Sequence, residues 1–238
     1  MTFFLLLVGC DEIDALLGGV TNPDVAEGLV LGMQVDPGLD LTNTAFAGGG
    51  RGAAYLSTIG GAPPETADLT LVSTSNGILP LTGRGDGVWT TNPDGGLAYV
   101  PGETWTLKRD GSEILRAEAA GPASLNLLRT ITEGDEFTID IGDQDYDGLL
   151  VSVVDLADGT QKWSNFPDTA GMVYDMLLSE PVLDVEVPAE ALTPGEYAVG
   201  FAALRANESV QTTDVNALAS LMATGVLEFR ALTVESAE

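Results

Sequence analysis

The chain alternates apolar and polar side chains over many short stretches, which is the pattern of half-buried β-strands. Apolar residues take every second position in Leu29–Val35, Phe137–Ile141 and Leu183–Val187. Clusters of Gly, Pro, Asn and Asp separate such stretches and indicate turns. The pattern predicts further strands at Leu69–Ser73, Val88–Thr90, Leu97–Val100, Trp105–Arg109, Ser112–Ala117, Leu149–Leu156, Thr160–Trp163, Tyr197–Leu204 and Val226–Val234.

Two Asp-Gly pairs, Asp110-Gly111 and Asp158-Gly159, stand between predicted strands. This pair favours the tight primed turns of β-hairpins, which need backbone conformations with positive φ. The segment Asn92–Gly96 predicts a longer hairpin loop between Val88–Thr90 and Leu97–Val100. Many short strands joined in this way predict an all-β protein, an antiparallel β-sandwich.

The most linker-like point of the chain is Ala119–Pro122. We therefore expect two tandem Ig-like sandwiches, residues 27–119 and 120–238, with one larger sandwich as the alternative. The term Ig-like describes architecture only, because the chain has a single cysteine and cannot form the Cys–Cys bridge of immunoglobulin domains.

One short helix is predicted, near residues 214–223. Asp214 would cap its start, and Gly225 follows its end. Four apolar residues would share one face of this helix, namely Val215, Leu218, Leu221 and Met222.

The charge of the chain is strongly one-sided, with 36 acidic residues against nine Lys and Arg and a formal net charge of −27. Nucleic acid is therefore not an expected partner, because phosphate binding needs a basic patch. Histidine is absent, which excludes Ser-His-Asp catalysis, His-ligated zinc and His general bases. Only carboxylates, Tyr, Lys and Ser remain for catalysis, so we do not expect an enzyme.

The single cysteine ends an apolar stretch at the start of the chain. The string Leu7-Val8-Gly9-Cys10 resembles the lipobox of bacterial lipoproteins, in which a small residue precedes the cysteine that receives lipid. The resemblance implies that residues 1–9 are a signal peptide and that the mature protein begins at a diacylated Cys10. It departs from the usual signal in having no Lys or Arg before the apolar stretch, so we expect a start upstream of Met1. The remainder of the chain resembles no family that we can name.

Lipid on Cys10 would place the protein outside the cytoplasm, attached to the membrane of the bacterial cell envelope. Two acyl chains hold a protein firmly to a bilayer, whereas one does so marginally. Residues 10–26 would form the lipidated tether. The sequence leaves open whether the inner or the outer membrane carries the anchor.

The acidic loop Asp143–Gly148 is the sharpest chemical motif. Asp143, Asp145 and Asp147 alternate before Gly148, and Ca²⁺ prefers six to eight oxygen ligands of this kind. The spacing resembles the first half of an EF-hand loop, but Val154 replaces the final Glu. A Ca²⁺ site here would need its last ligand from outside the loop, for instance from Asp140 or Asp155. The alternative interpretation is a solvated acidic turn.

Three further motifs have simpler interpretations. Gly83–Gly87 contains Arg-Gly-Asp, which some adhesive proteins present to integrins, but a glycine-rich turn is the favoured interpretation. Gly48–Gly52 lacks the Lys-Ser/Thr ending of a phosphate loop and is interpreted as a flexible loop. A sugar-stacking platform would need several aromatic side chains on one face, and the candidates are Trp89, Trp105, Trp163 and Tyr146.

These observations predict a lipid-anchored envelope protein that acts as a non-enzymatic binding, adhesion or structural module. Its protein or glycan ligand cannot be read from the sequence. The alternative is a carboxylate-dependent polysaccharide hydrolase or carbohydrate-binding protein. A hydrolase would need two facing acids in a cleft.

Overall fold

The computed structural model describes residues 24–44, 46–47, 49–58, 66–92, 96–125, 127–142, 144–166, 182–207, 215–216 and 220–237. The regular secondary structure of these residues is almost entirely β-strand, which confirms the predicted all-β sandwich fold. The described part of the chain contains no α-helix and only one short 3-10 turn, Ala189–Ala191. It contains no helix whose length and apolarity would let it cross a bilayer.

Fifteen strands are described. The first eight are β1 (Asp24–Val35), β2 (Arg51–Thr58), β3 (Leu69–Ser73), β4 (Gly77–Pro80), β5 (Thr82–Gly85), β6 (Val88–Thr90), β7 (Thr104–Arg109) and β8 (Ser112–Glu118). The remaining seven are β9 (Thr130–Thr132), β10 (Phe137–Asp140), β11 (Gly148–Asp155), β12 (Gln161–Ser164), β13 (Asp184–Val187), β14 (Gly195–Asn207) and β15 (Leu221–Glu235).

A nine-stranded central sheet forms the main layer. Its order is β12-β11-β14-β15-β1-β2-β6-β5, and β9 also pairs with β15. Most neighbours are antiparallel, but β1 and β9 both run parallel to β15. The first and last described strands are therefore neighbours, so the ends of the described chain are joined within one sheet.

Two smaller sheets pack on one face of the central sheet. The four-stranded sheet β4-β3-β7-β8 covers its β1–β2–β6 half, and the two-stranded sheet β10-β13 covers its β11–β14–β15 half. Each contact buries a separate hydrophobic cluster. A third cluster lies on the opposite face and includes Leu31, Leu150 and Phe229. The central strands are thus buried on both faces.

The predicted domain boundary at Ala119 and Ala120 is a buried segment, in which the chain crosses from the four-stranded sheet towards the two-stranded sheet. Both alanines are 2% exposed. Thr224 of β15 holds this crossing, because its hydroxyl donates to the carbonyl oxygen of Glu118 and accepts from the amide of Ala120. The two clusters lie largely on either side of the boundary, whereas the central sheet is common to both. The division into domains 27–119 and 120–238 therefore stays a prediction.

The hairpin predicted at Asp110-Gly111 is confirmed. These residues join β7 to β8 with φ values of 51° and 83°, the positive values that a primed turn requires. β11 and β12 also form the predicted hairpin at Asp158-Gly159, but Asp155 and Gln161 bound a longer connection.

The helix predicted near 214–223 is wrong where the structure describes it, because Leu221 and Met222 begin β15. β15 lies between β14 and β1, and its first part, from Leu221 to Phe229, is buried on both faces. A strand of this kind has a continuous apolar run without period-two alternation, so its first residues also fit a helical period. Asp214 and residues 217–219 lie outside the described residues.

Two other segments also differ from the predictions. Leu97–Val100 is not a strand, so the hairpin expected around Asn92–Gly96 does not form between two described strands. The glycine-rich segment at Gly48–Gly52 is not a loop throughout, because Arg51 and Gly52 begin β2. Glycine at position 52 permits a close approach of two sheets, since a Cβ atom there would overlap Leu71 of β3.

Candidate functional site

The predicted lipidation site, Cys10, lies outside the described residues. β1 begins at Asp24, so the last three residues of the predicted tether 10–26 belong to a strand. Ala26 of that strand is fully buried, and its amide donates to the Ser220 hydroxyl. The end of the predicted tether therefore belongs to the folded body.

The acidic loop packs against the end of β14. The Asp145 carboxylate pairs with Arg205 at 2.8 Å, and the Asp147 carboxylate accepts a hydrogen bond from the amide of Ala206 at 2.7 Å. Arg205 also lies 5.7 Å from the centre of the Tyr146 ring, and the Tyr146 hydroxyl donates to the Gly121 carbonyl. The two described aspartates thus fasten the loop to its surroundings.

The two residues expected to complete a Ca²⁺ site, Asp140 and Asp155, have other partners in the structure. Asp155 ends β11, whereas Asp147 directly precedes the start of that strand, so about 25 Å of extended chain separates them. Asp155 pairs instead with Lys162 at 3.1 Å. Asp140 accepts a hydrogen bond from the Gly142 amide in its own turn. No metal-binding group of three acidic residues occurs among the described residues, and Asp143 lies outside them. The calcium site stays a prediction.

The Arg-Gly-Asp sequence forms the tip of the β5–β6 hairpin, whose strand β5 is an edge of the central sheet. Residues 82–86 are all exposed. Asp86 and Gly87 have φ values of 50° and 78°, as a tight turn requires. The Arg84 Nε atom donates to the Thr90 hydroxyl at 2.8 Å, which holds this side chain along the hairpin. The tip therefore presents one cation and one carboxylate on an ordered turn.

The aromatic side chains do not form the platform that sugar stacking would require. Trp105 is fully buried and Trp89 is 6% exposed, and both belong to the cluster beneath the four-stranded sheet. Trp163 and Tyr146 pack against the other cluster, beneath the two-stranded sheet. The candidate residues are therefore divided between two cores.

A group of four charged residues was not singled out from the sequence. Asp36, just after β1, pairs with Arg230 of β15 at 2.7 Å and with Arg129 at 2.9 Å. Arg230 also pairs with Glu228 at 2.5 Å. The Asp36 and Glu228 side chains are only 8% and 4% exposed. The only hint in the sequence is that arginine is scarce and Arg230 interrupts an apolar strand.

Arg230 lowers the pKa of both of its carboxylate partners, but the net pKa shifts of the two carboxyls have opposite directions. Burial raises the pKa of the Asp36 carboxyl, but hydrogen bonding and charge from Arg230, together with Arg129, outweigh burial and hold that pKa below its ordinary value. Burial raises the pKa of Glu228 above its ordinary value, and Arg230 offsets only part of the rise. The group therefore joins β1, β9 and β15 through buried charge.

The hydroxyl of Tyr99 is another perturbed group. Burial raises the pKa of Tyr99 to about 12, and hydrogen bonding to the Thr224 side chain and to the Ala120 backbone offsets part of the rise. The hydroxyl donates to the carbonyl oxygen of Ala120 at 2.9 Å. Because this bond fixes the buried segment at Ala120, it indicates a structural role for the Tyr99 hydroxyl.

Comparison with known protein families and with curated proteins found no match. Among solved structures, the chain is similar to the adhesin InvE of Yersinia pseudotuberculosis, with 11% sequence identity and a TM-score of 0.26. The similarity covers 85% of this chain and spans 58% of the length of that structure. Agreement at this level assigns neither a family nor an activity to the chain.

Proposed function

We propose that this protein is a lipid-anchored module of the bacterial cell envelope that binds a partner outside the cytoplasm without catalysing a reaction. The lipobox-like string ending at Cys10 supports the anchor. The absence of histidine from the sequence leaves few groups for catalysis. Two of the three tryptophans are buried, which favours recognition by loops over recognition by an aromatic cleft.

The exposed tip of the β5–β6 hairpin carries this proposal. Arg84, in strand β5, and Asp86, in the turn that follows it, are exposed charged side chains at the edge of the nine-stranded sheet. A rigid scaffold that presents a charged loop is a common arrangement for binding. The proposed mode is adhesion, in which a partner receives the guanidinium of Arg84 and the carboxylate of Asp86 together.

The anchor is tested by replacing its cysteine. In bacteria grown with a fatty-acid probe, we expect the full-length protein to be labelled and to sediment with membranes. The Cys10→Ser variant should lose the label completely and appear in the soluble fraction, because lipid is attached to the thiol. The chain has no other cysteine to which the label could move. Labelling of Cys10→Ser would contradict the anchor.

The hairpin tip is tested by removing one charge without changing the turn. Asp86 and Asp110 both occupy turn positions with φ near 50°, which Asn also tolerates. We expect Asp86→Asn to reduce attachment of integrin-bearing cells to a protein-coated surface about tenfold, since a charged contact at a binding centre contributes strongly. Asp110→Asn, at the other tight hairpin, should leave attachment unchanged. Equal attachment by all three proteins would refute adhesion through this tip.

A further inference from the structure

The side chain of Asn76 holds a segment of the chain that belongs to no strand. Asn76 lies in the turn between β3 and β4, and its amide nitrogen donates to the carbonyl oxygen of Ala98 at 2.7 Å and to the Ser73 hydroxyl at 2.8 Å. Its amide oxygen accepts a hydrogen bond from the backbone N–H of Ala98 at 2.8 Å. One side chain therefore bonds both backbone groups of Ala98, as a residue of a neighbouring antiparallel strand would do.

These bonds keep two apolar side chains against the core. Leu97 and Tyr99, on either side of the exposed Ala98, pack against the cluster beneath the four-stranded sheet. Within the described residues, the backbone of segment 97–99 makes no hydrogen bond to another backbone group. The Asn76 side chain thus supplies the hydrogen bonds that fix the backbone of this segment.

Asn76 is also the only asparagine of the chain that a glycine follows. Glycine has no Cβ atom, so the backbone nitrogen of Gly77 is open to approach by the Asn76 side chain. Attack of this nitrogen on the Asn76 Cγ atom forms a carbon–nitrogen bond and releases the side-chain nitrogen as ammonia, which leaves a cyclic succinimide. Water then opens the ring at either carbonyl and yields Asp or isoaspartate. The two steps together consume one water, release one ammonia and need no other reactant.

The contacts of the folded protein oppose this reaction. The Cγ atom must become tetrahedral and its nitrogen must leave, so both hydrogen bonds that this nitrogen donates, to Ala98 and to Ser73, are lost. The reaction is therefore favoured when segment 97–99 opens away from Asn76. A segment that few backbone hydrogen bonds hold opens locally at a lower free energy than the core strands do.

We propose that Asn76 is a site of spontaneous deamidation and that the reaction releases segment 97–99 irreversibly. The product side chain is a carboxylate, which accepts hydrogen bonds and donates none. An oxygen atom would then face the carbonyl oxygen of Ala98 in place of the amide nitrogen, and two acceptors cannot bond each other. Isoaspartate also lengthens the backbone of the turn by one carbon atom. The β3–β4 turn thus undergoes a one-way chemical change that undocks Leu97 and Tyr99.

Peptide mapping of the full chain by mass spectrometry, after incubation at mildly alkaline pH, tests the site. Asn76 should convert to a mixture of Asp and isoaspartate. Asn165 is the matched internal control, because its side chain also bonds two backbone groups, those of Leu149 and Val151, but Phe166 follows it. Asn165 should stay intact. Equal conversion of the two asparagines would overturn the proposal.

The rate of conversion tests the restraint by the segment. The native chain should convert Asn76 about tenfold more slowly than the same chain unfolded in urea, because opening of the segment precedes the reaction. Leu97→Ala, which weakens the packing of the segment, should raise the native rate, whereas Leu128→Ala, at an exposed position, should not. Equal rates in the native and unfolded chains, or no conversion in the native chain over about ten half-lives of the reaction in urea, would overturn the proposal.

The release of the segment is tested with a variant that has the product side chain. Asn76→Asp should raise the rate of hydrogen exchange in the peptide that covers Leu97 and Tyr99. Asn165→Asp adds the same charge elsewhere and should leave exchange in this peptide unchanged, and circular dichroism would verify that both variants are folded. Unchanged exchange in Asn76→Asp would refute the release.

Discussion

Replacing Trp105 with alanine is expected to lower the free energy of unfolding by about 3–5 kcal/mol, as large-to-small changes of buried aromatic residues do. Trp105 is fully buried in β7, where it contributes to the cluster between the four-stranded sheet and the central sheet. Its loss removes apolar contacts and leaves a cavity that the surrounding strands fill only in part. Urea unfolding followed by circular dichroism measures the change.

Two matched variants separate packing from polar effects at this site. The Trp105 indole nitrogen has no hydrogen-bond acceptor among the described residues, so Trp105→Phe should cost less than half as much as Trp105→Ala. Trp163→Ala, at a partly exposed position at the sheet edge, should also cost less. Similar losses for Trp105→Ala and Trp163→Ala would contradict the position of Trp105 in the core.

Replacing Arg230 with methionine is expected to lower the free energy of unfolding by about 2–3 kcal/mol at about pH 7. The change leaves the buried carboxylates of Asp36 and Glu228 close together, with only Arg129 beside Asp36. The loss is below that for a fully buried pair because the Arg230 side chain is 38% exposed. Arg116→Met, which removes an exposed pair with Glu113, should change stability by less than about 1 kcal/mol.

The effect of Arg230→Met should depend on pH. In the wild-type protein, the lowered pKa of Asp36 contributes stability above the ordinary carboxyl pKa, and this contribution is lost as pH falls through the lowered value. Without Arg230, the pKa values of both carboxyls rise, so the folded variant takes up protons before the unfolded chain. Its deficit should therefore shrink between about pH 7 and about pH 5. A deficit that does not change over this range would contradict the proposed coupling.

Local sequence chemistry predicted some strands well and others poorly. The strands at Leu69–Ser73 and Val88–Thr90 have the predicted bounds, because clear turn signals flank alternating side chains. β1 starts five residues before the predicted Leu29, and β14 extends past both predicted ends. Strands buried on both faces lose alternation, which is the signal that defines their ends.

The candidate sites were predictable only in part. The Arg-Gly-Asp turn was visible as a glycine-rich tip, and the structure adds its position at a sheet edge. The partners of Asp145 and Asp147 were not predictable, because Arg205 and Ala206 are about 60 residues away along the chain.

The sequence by itself determined the all-β class, the Asp110-Gly111 hairpin, the acidic charge and the exclusion of histidine chemistry, because these depend on composition or on neighbouring residues. The tertiary structure alone decided the parallel pairing of β1 with β15, the burial of the Ala119–Ala120 crossing and the grouping of Asp36 with Arg230. Asp36 and Arg230 are 194 residues apart along the chain. Such contacts arise only when distant strands meet in one sheet, and no local pattern of residues encodes them.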